Sequence, residues 1–183
     1  KATTVAQKLA DAKVAAVVGH FNSGASIPAS KIYSDAGIPQ ISPSSTNPKY
    51  TQQGFKTTFR VVAHDDQQGP TLARFAAKTL QVKSVAVIDD STAYGQGLAD
   101  AFENTIKTMD VKIAAREHTT DKDTDFKAIL TKIKGRKPDL IMFGGIDPQA
   151  GPMVKQMKEL GIQAKFIGGD GMQTPNFIKL AGD

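Results

Sequence analysis

Ala15-Ala16-Val17-Val18-Gly19-His20-Phe21-Asn22-Ser23-Gly24-Ala25-Ser26-Ile27-Pro28 is the stretch from which the rest of the chain can be read. Its short, valine-bearing apolar run predicts a buried strand that breaks at Gly19. A small polar loop follows, and then a segment with helical spacing. Ser26 suits the N-cap of that helix, and Pro28 suits its first turn, where a missing N–H costs nothing. A strand that feeds a Ser/Gly loop and then a helix leaves backbone N–H groups aimed at one spot. The helix dipole adds partial positive charge there, so the junction is suited to a carboxylate or phosphate. Asn22 and Ser23 add side-chain donors to the same spot.

The same alternation runs outward in both directions. Upstream, Val5 and Leu9 stand at i, i+4 in a first helix. Downstream, strands are expected near 14–18, 38–41, 57–62, 84–88, 111–115, 139–143 and 165–167, with helical periodicity between most of them. The helix after residue 64 places Leu72, Phe75, Ala76 and Leu80 on one face, and the next repeats Leu98, Ala101, Phe102, Thr105 and Ile106. Strands alternating with helices predict an α/β fold with parallel sheets covered on both faces. Such sheets bind ligands beyond the carboxyl ends of their strands. The loops at that edge carry Asn22 and Ser23, then Ser44, Ser45 and Thr46, then Tyr94, Asp147 and Asp170. The second of these, Ser42-Pro43-Ser44-Ser45-Thr46-Asn47-Pro48, is a rigid polar loop by composition.

The 183 residues are enough for one good-sized domain or two small lobes. Hydrophobic content of 40% and charged content of 22% are those of an ordinary globular protein. No apolar run reaches the length of a membrane span, and the absence of cysteine excludes disulfides and thiolate chemistry. Net charge is +5, with Lys127, Lys132, Lys134, Arg136 and Lys137 crowded at a helix end. Cations complement a helix C-terminus, and no aromatic residues are interleaved for base stacking, so nucleic acid is not the expected partner. The chain opens on Lys1 inside a helix and stops after a short one, which reads as an internal piece of a longer protein with a signal peptide upstream.

No catalytic constellation emerges. His20, His64 and His118 lack the paired spacing of a metal site, and no Gly-x-Ser-x-Gly elbow is present. Gly95-Gln96-Gly97 lacks the third glycine of a nucleotide-binding turn, and Asp89-Asp90 is read as loop-capping. No metal or cofactor is expected. The remaining pattern suits a zwitterion: hydroxyls and N–H groups at Ser23 and Thr46 for a carboxylate, Asp170 for an ammonium, and Tyr94 as a flat face with a polar tip.

Taken together, Val18 to Gly24, Pro28-Ala29-Ser30, Ile41 to Pro48, Phe59-Arg60, Asp66 to Pro70, Tyr94 to Gly97, Gly144-Gly145 and Gly168 to Gly171 carry a further reading. In this order they resemble the periplasmic leucine/isoleucine/valine-binding proteins of branched-chain amino-acid ABC transporters. The resemblance covers essentially the whole chain. It implies a type I periplasmic binding protein with two Rossmann-like lobes, incomplete here at both ends, with 1–63 part of the first lobe and 64–183 the second. It implies a non-enzymatic periplasmic receptor that holds an amino acid between hinged lobes and delivers it to an inner-membrane permease complex. Positions matching Asn22, Ser23 and Ser44–Thr46 would meet the α-carboxylate, Tyr94 would come from the other lobe, and Asp170 would bind the α-ammonium. One position departs from the pattern. Leucine-type members tend to have aromatics after the paired glycines, whereas this chain has Ile146 and Asp147. A second acid there could share the ammonium, face a polar or cationic ligand side chain, be exposed, or cap the following helix. The alternative is a ligand-sensing domain of a regulator or receptor with the same bilobed fold, binding an amide or other small polar molecule.

Overall fold

Two separate parallel sheets emerge from this alternation. The structure, a computed structural model, describes residues 1–182 and divides at Asp66/Gln67 into two units. The first unit runs α1 (Ala2–Asp11), β1 (Val17–Val18), α2 (Ser23–Asp35), β2 (Gln40–Ser42), α3 (Lys49–Gln52) and β3 (Thr58–Arg60). Its strands pair in the order β1-β2-β3, all parallel. Ala6, Val17, Ala29, Tyr33 and Ile38 form its core on one sheet face. Val18, Ile41 and Phe59 stand in register across the other face, with Val18 80% and Phe59 49% exposed. Residues 64–66 stay with this unit, where Asp65 N donates to Thr46 O at 2.9 Å.

Several local expectations shift. The first helix turns Ala6 inward and leaves Val5 49% exposed. Helix α2 begins at Ser23, with Asn22 at the N-cap, so Pro28 lies inside it and Ser26 is a buried helical residue. The reason is the Ser26 hydroxyl, which is bound to both His20 N and His20 O and so ties the loop back onto an already formed turn.

The second unit contains α4 (Asp65–Arg74, its start crossing the boundary), β4 (Ser84–Asp89), α5 (Ala93–Ile106), β5 (Lys112–His118), α6 (Lys127–Lys134), β6 (Leu140–Gly144), α7 (Asp147–Glu159), β7 (Lys165–Gly168) and α8 (Pro175–Ala181). Its sheet is parallel throughout, in the order β5-β4-β6-β7. Side chains alternate across it as a doubly covered sheet requires. Val85, Val87, Leu140 and Met142 face Leu98, Phe102 and Ile106 of α5, while Ala86, Ile88, Ile141 and Phe143 face Leu130, Ile133, Met153 and Met157. Helix α4 continues as a π-turn over Phe75–Thr79. Ala73 and Ala76 are buried on this helix and Phe75 is 44% exposed, against the inward face expected for it, because Gly69, Ala73, Ala76 and Leu80 fall on one helical face that Phe75 lies outside.

The chain order leaves β4 in one direction to reach β5 and then returns past β4 to β6, so the switch point lies between β4 and β6. There α5 approaches β6 closely. A Cβ on Gly144 would fall on the carbonyl oxygen of Gly95, and one on Gly95 would fall on Asp90 and the Gly144 carbonyl. Gly144→Ala is therefore expected to cost about 1–3 kcal/mol of stability by overpacking. Urea unfolding measures this, and an unchanged midpoint would mean that α5 can move aside.

Candidate functional site

In the first unit, the loop after β1 and the loop after β2 are sewn together by hydroxyls. Ser42 Oγ donates to His20 O at 2.8 Å and accepts from Ser45 N at 2.9 Å. Ser44 Oγ donates to Phe21 O at 2.7 Å, and Ser45 Oγ lies within 3.2 Å of both the His20 and Phe21 carbonyls. Ser23 is buried and accepts from Asn47 N at 3.1 Å. The hydroxyls of Ser23, Ser44 and Ser45 are thus engaged in holding the two loops in one shape. Two of the expected residues differ. Asn22, at the start of α2, is exposed and its side chain makes no capping bond. Thr46 is 4% exposed, and its Oγ1 is buried without a hydrogen-bond partner. A buried hydroxyl left unpaired costs free energy in the fold.

Arg60 supports this loop, a role that its place in the sequence did not reveal. Its Nη1 donates to Ser45 O and Asn47 O at 2.9 and 3.0 Å, and its Nη2 to Thr51 Oγ1 at 2.5 Å. Burial lowers its pKa, opposed by Asp65, Tyr50 and Asp66. Arg60 thus fixes the loop through its carbonyls, while Ser42 and Ser23 hold its N–H groups at residues 45 and 47. His20 Nε2 meets Tyr33 Oη at 3.1 Å, and burial lowers the pKa of His20.

In the second unit, Tyr94 and Asp170 meet. Tyr94 lies in the first turn of α5 and is 9% exposed. Its hydroxyl donates to Asp170 Oδ1 at 2.9 Å and accepts from Gly171 N at 3.1 Å. Gln68, on α4, clamps the same acid from the other side: Nε2 donates to Asp170 Oδ1 at 3.0 Å, and Oε1 accepts from Asp170 N at 2.7 Å. Glycines make room for this packing, since a side chain on Gly169 would begin 2.7 Å from the Tyr94 hydroxyl. Asp170 is exposed and, among the described residues, pairs with no cation. Gln68 was not anticipated, because its partner is 102 residues away and no local pattern announces it.

Asp147 is the first residue of α7, and Ile146 is the N-cap. Its Oδ2 accepts from Thr174 Oγ1 and Asn176 Nδ2, both at 2.9 Å. Asp89 and Asp90 are loop-forming acids. Asp89 Oδ1 accepts from Ser91 N at 2.8 Å, and Asp90 Oδ1 from Thr92 N at 3.0 Å and from the Thr92 hydroxyl at 2.6 Å. Burial raises the pKa of Asp90, with the Thr92 bonds opposing it. Thr92 in turn caps α5 by accepting from Gly95 N. No group of acids and histidines among the described residues is arranged to hold a metal ion.

A family model described as periplasmic binding protein matches residues 1–183. An amino acid binding protein of Pseudomonas aeruginosa is 44% identical over 183 residues, which is all of this chain and 49% of that protein. The Leu/Ile/Val-binding protein homolog 1 of Brucella abortus is 41% identical over 180 residues, 98% of this chain and 48% of that protein. Among solved structures, the branched-chain amino acid transporter substrate-binding protein LivJ of Streptococcus pneumoniae, in complex with isoleucine, matches 98% of this chain and 51% of its own. That match has a TM-score of 0.89 at 35% identity. A leucine-binding protein LivK of Thermotoga maritima matches 99% of this chain and 53% of its own, with a TM-score of 0.93 at 32% identity. The chain spans about half the length of the relatives it matches. With a match that runs through every residue, the chain belongs to the periplasmic binding protein family.

Proposed function

We propose that the protein is the solute-binding receptor of an ABC-type transporter, which binds an α-amino acid in the periplasm and delivers it to a membrane permease. The observation that carries this reading is Asp170, an exposed carboxylate held by two neutral donors with no cation of its own. A carboxylate fixed in this way is suited to an ammonium brought by a ligand. The first unit supplies the complementary chemistry. The Asn22 side chain, the unpartnered Thr46 hydroxyl and the first N–H groups of α2 are neutral donors suited to a carboxylate. The relatives named above for leucine, isoleucine and valine support an amino-acid ligand.

A thermal-shift screen of the intact protein against the amino acids tests this. A ligand at about 100 times its Kd stabilises the fold by roughly 2.7 kcal/mol. No shift with any amino acid would overturn the reading. Thr46→Val gives a second signature. Removing an orphaned hydroxyl is expected to leave unliganded stability unchanged or raised, while the affinity for the amino acid falls about tenfold through loss of one hydrogen bond. Calorimetric titration beside a melting curve checks both halves, and loss of stability with no loss of affinity would make Thr46 structural.

A further inference from the structure

The amino-acid reading above leaves the ligand side chain open, and Asp147 bears on it. Strands β6 and β7 are neighbours in register, with Phe143 opposite Gly168, and each is followed closely by an acid, Asp147 at the start of α7 and Asp170 at the start of a short 3-10 turn. Between the two acids, Ile146 and Tyr94 both pack on Gly171: their atoms lie 2.9 and 3.0 Å from where a side chain there would begin.

The acids are held alike. Oδ1 of Asp170 takes one hydroxyl and one amide donor, from Tyr94 and Gln68. Oδ2 of Asp147 takes one hydroxyl and one amide donor, from Thr174 and Asn176. In each the second oxygen takes no hydrogen bond from any described residue, and neither acid forms an ion pair with a lysine, arginine or histidine among them. Thr174 is itself fixed as the N-cap of α8, accepting from Phe177 N at 3.1 Å, so Asp147 is held in place. The first turn of α7 favours an acid through the helix dipole, and the two bonds at Oδ2 tie α7 to α8, which leaves Oδ1 as the atom with no bond from any described residue. Asp147 does not cap its own helix.

We propose that Asp147 is a specificity residue that selects an α-amino acid whose side chain carries a cationic nitrogen, of the lysine, ornithine or arginine kind. Resting on the reading above, this places the α-ammonium on Asp170 and the side-chain nitrogen on Asp147. An aliphatic side chain would bury the open oxygen without a partner, so the same acid selects against leucine.

Titration calorimetry of the intact protein, wild type and Asp147→Asn, with leucine, lysine, ornithine and arginine tests this. The wild type is expected to bind at least one basic amino acid more tightly than leucine. Asp147→Asn is expected to weaken that binding at least about tenfold, the loss of one charge-assisted hydrogen bond, and to strengthen leucine binding. Its unliganded melting temperature should fall only slightly, through the lost charge at the start of α7, because the bonds from Thr174 and Asn176 survive. Preference for leucine, isoleucine or valine in the wild type, unmoved by Asp147→Asn, would overturn this inference and leave the receptor reading standing. Failure to bind any amino acid would overturn both.

Discussion

Asp170→Asn is expected to weaken amino-acid binding by about 30- to several-thousand-fold, the range of roughly 2–5 kcal/mol measured when one partner of a charge pair is truncated. The substitution is nearly silent in the free protein. Asparagine Oδ1 still accepts from Tyr94 and Gln68, and the site is exposed, so the clamp persists. What changes is the other atom. The oxygen that takes no bond within the fold becomes an NH2 group, which confronts the ligand ammonium with a donor where it needs an acceptor. Tyr94→Phe gives the matching control. It keeps the charge but removes one of the two donors orienting it, and about a tenfold loss is expected. Calorimetric titration of both variants, with melting curves to verify folding, decides the matter. Unchanged affinity in Asp170→Asn would remove Asp170 from the site.

Arg116→Met is expected to lower folding stability by about 3–5 kcal/mol, the usual cost of leaving a buried charge without its partner. Asp89 is fully buried, and its carboxylate is bound by Arg116 Nη1, by Ser91 N at 2.8 Å and by His118 Nδ1 at 2.8 Å. Arg116 also reaches Asp100 and Glu103, each at 2.9 Å. Burial works against its charge, but Asp100 and Asp89 outweigh that, and its pKa lies above the ordinary value. Methionine fills the same space and carries no charge, so three carboxylates lose their shared cation. Adding Asp89→Asn in the same chain is expected to restore part of the loss, because the isolated charge is then gone. Urea unfolding of the single and double variants measures the coupling. A loss below about 1 kcal/mol would place this cluster among ordinary surface ion pairs.

The parallel strands and the polar edge follow from features that repeat locally. Val85 to Ile88 and Leu140 to Phe143 are uninterrupted apolar runs, as strands buried on both faces must be. Thr174-Pro175 announces a helix start by cap chemistry alone. Local pattern fails where long-range packing overrides it. Ser26 looks like a cap but is buried inside a helix by its bonds to His20, and Phe75 looks inward-facing but gives its place in the core to Ala73 and Ala76. The candidate site divides in the same way. Asp170 stands out by its glycines, whereas the roles of Gln68, Arg60 and Asn176 depend on partners that only the folded chain brings near.

The Gln68–Asp170 clamp joins positions 102 residues apart. Contacts of such separation form slowly, because a long loop must close before they contribute anything. A growing chain can complete β4, α5 and β6 before Asp170 has been made at all. Competence to hold a ligand through Asp170 therefore arrives after most of the second unit is already packed. With Asp170 as the proposed ammonium site, ligand binding reports finished folding, and a ligand present during refolding is expected to stabilise the completed fold without speeding the steps before it.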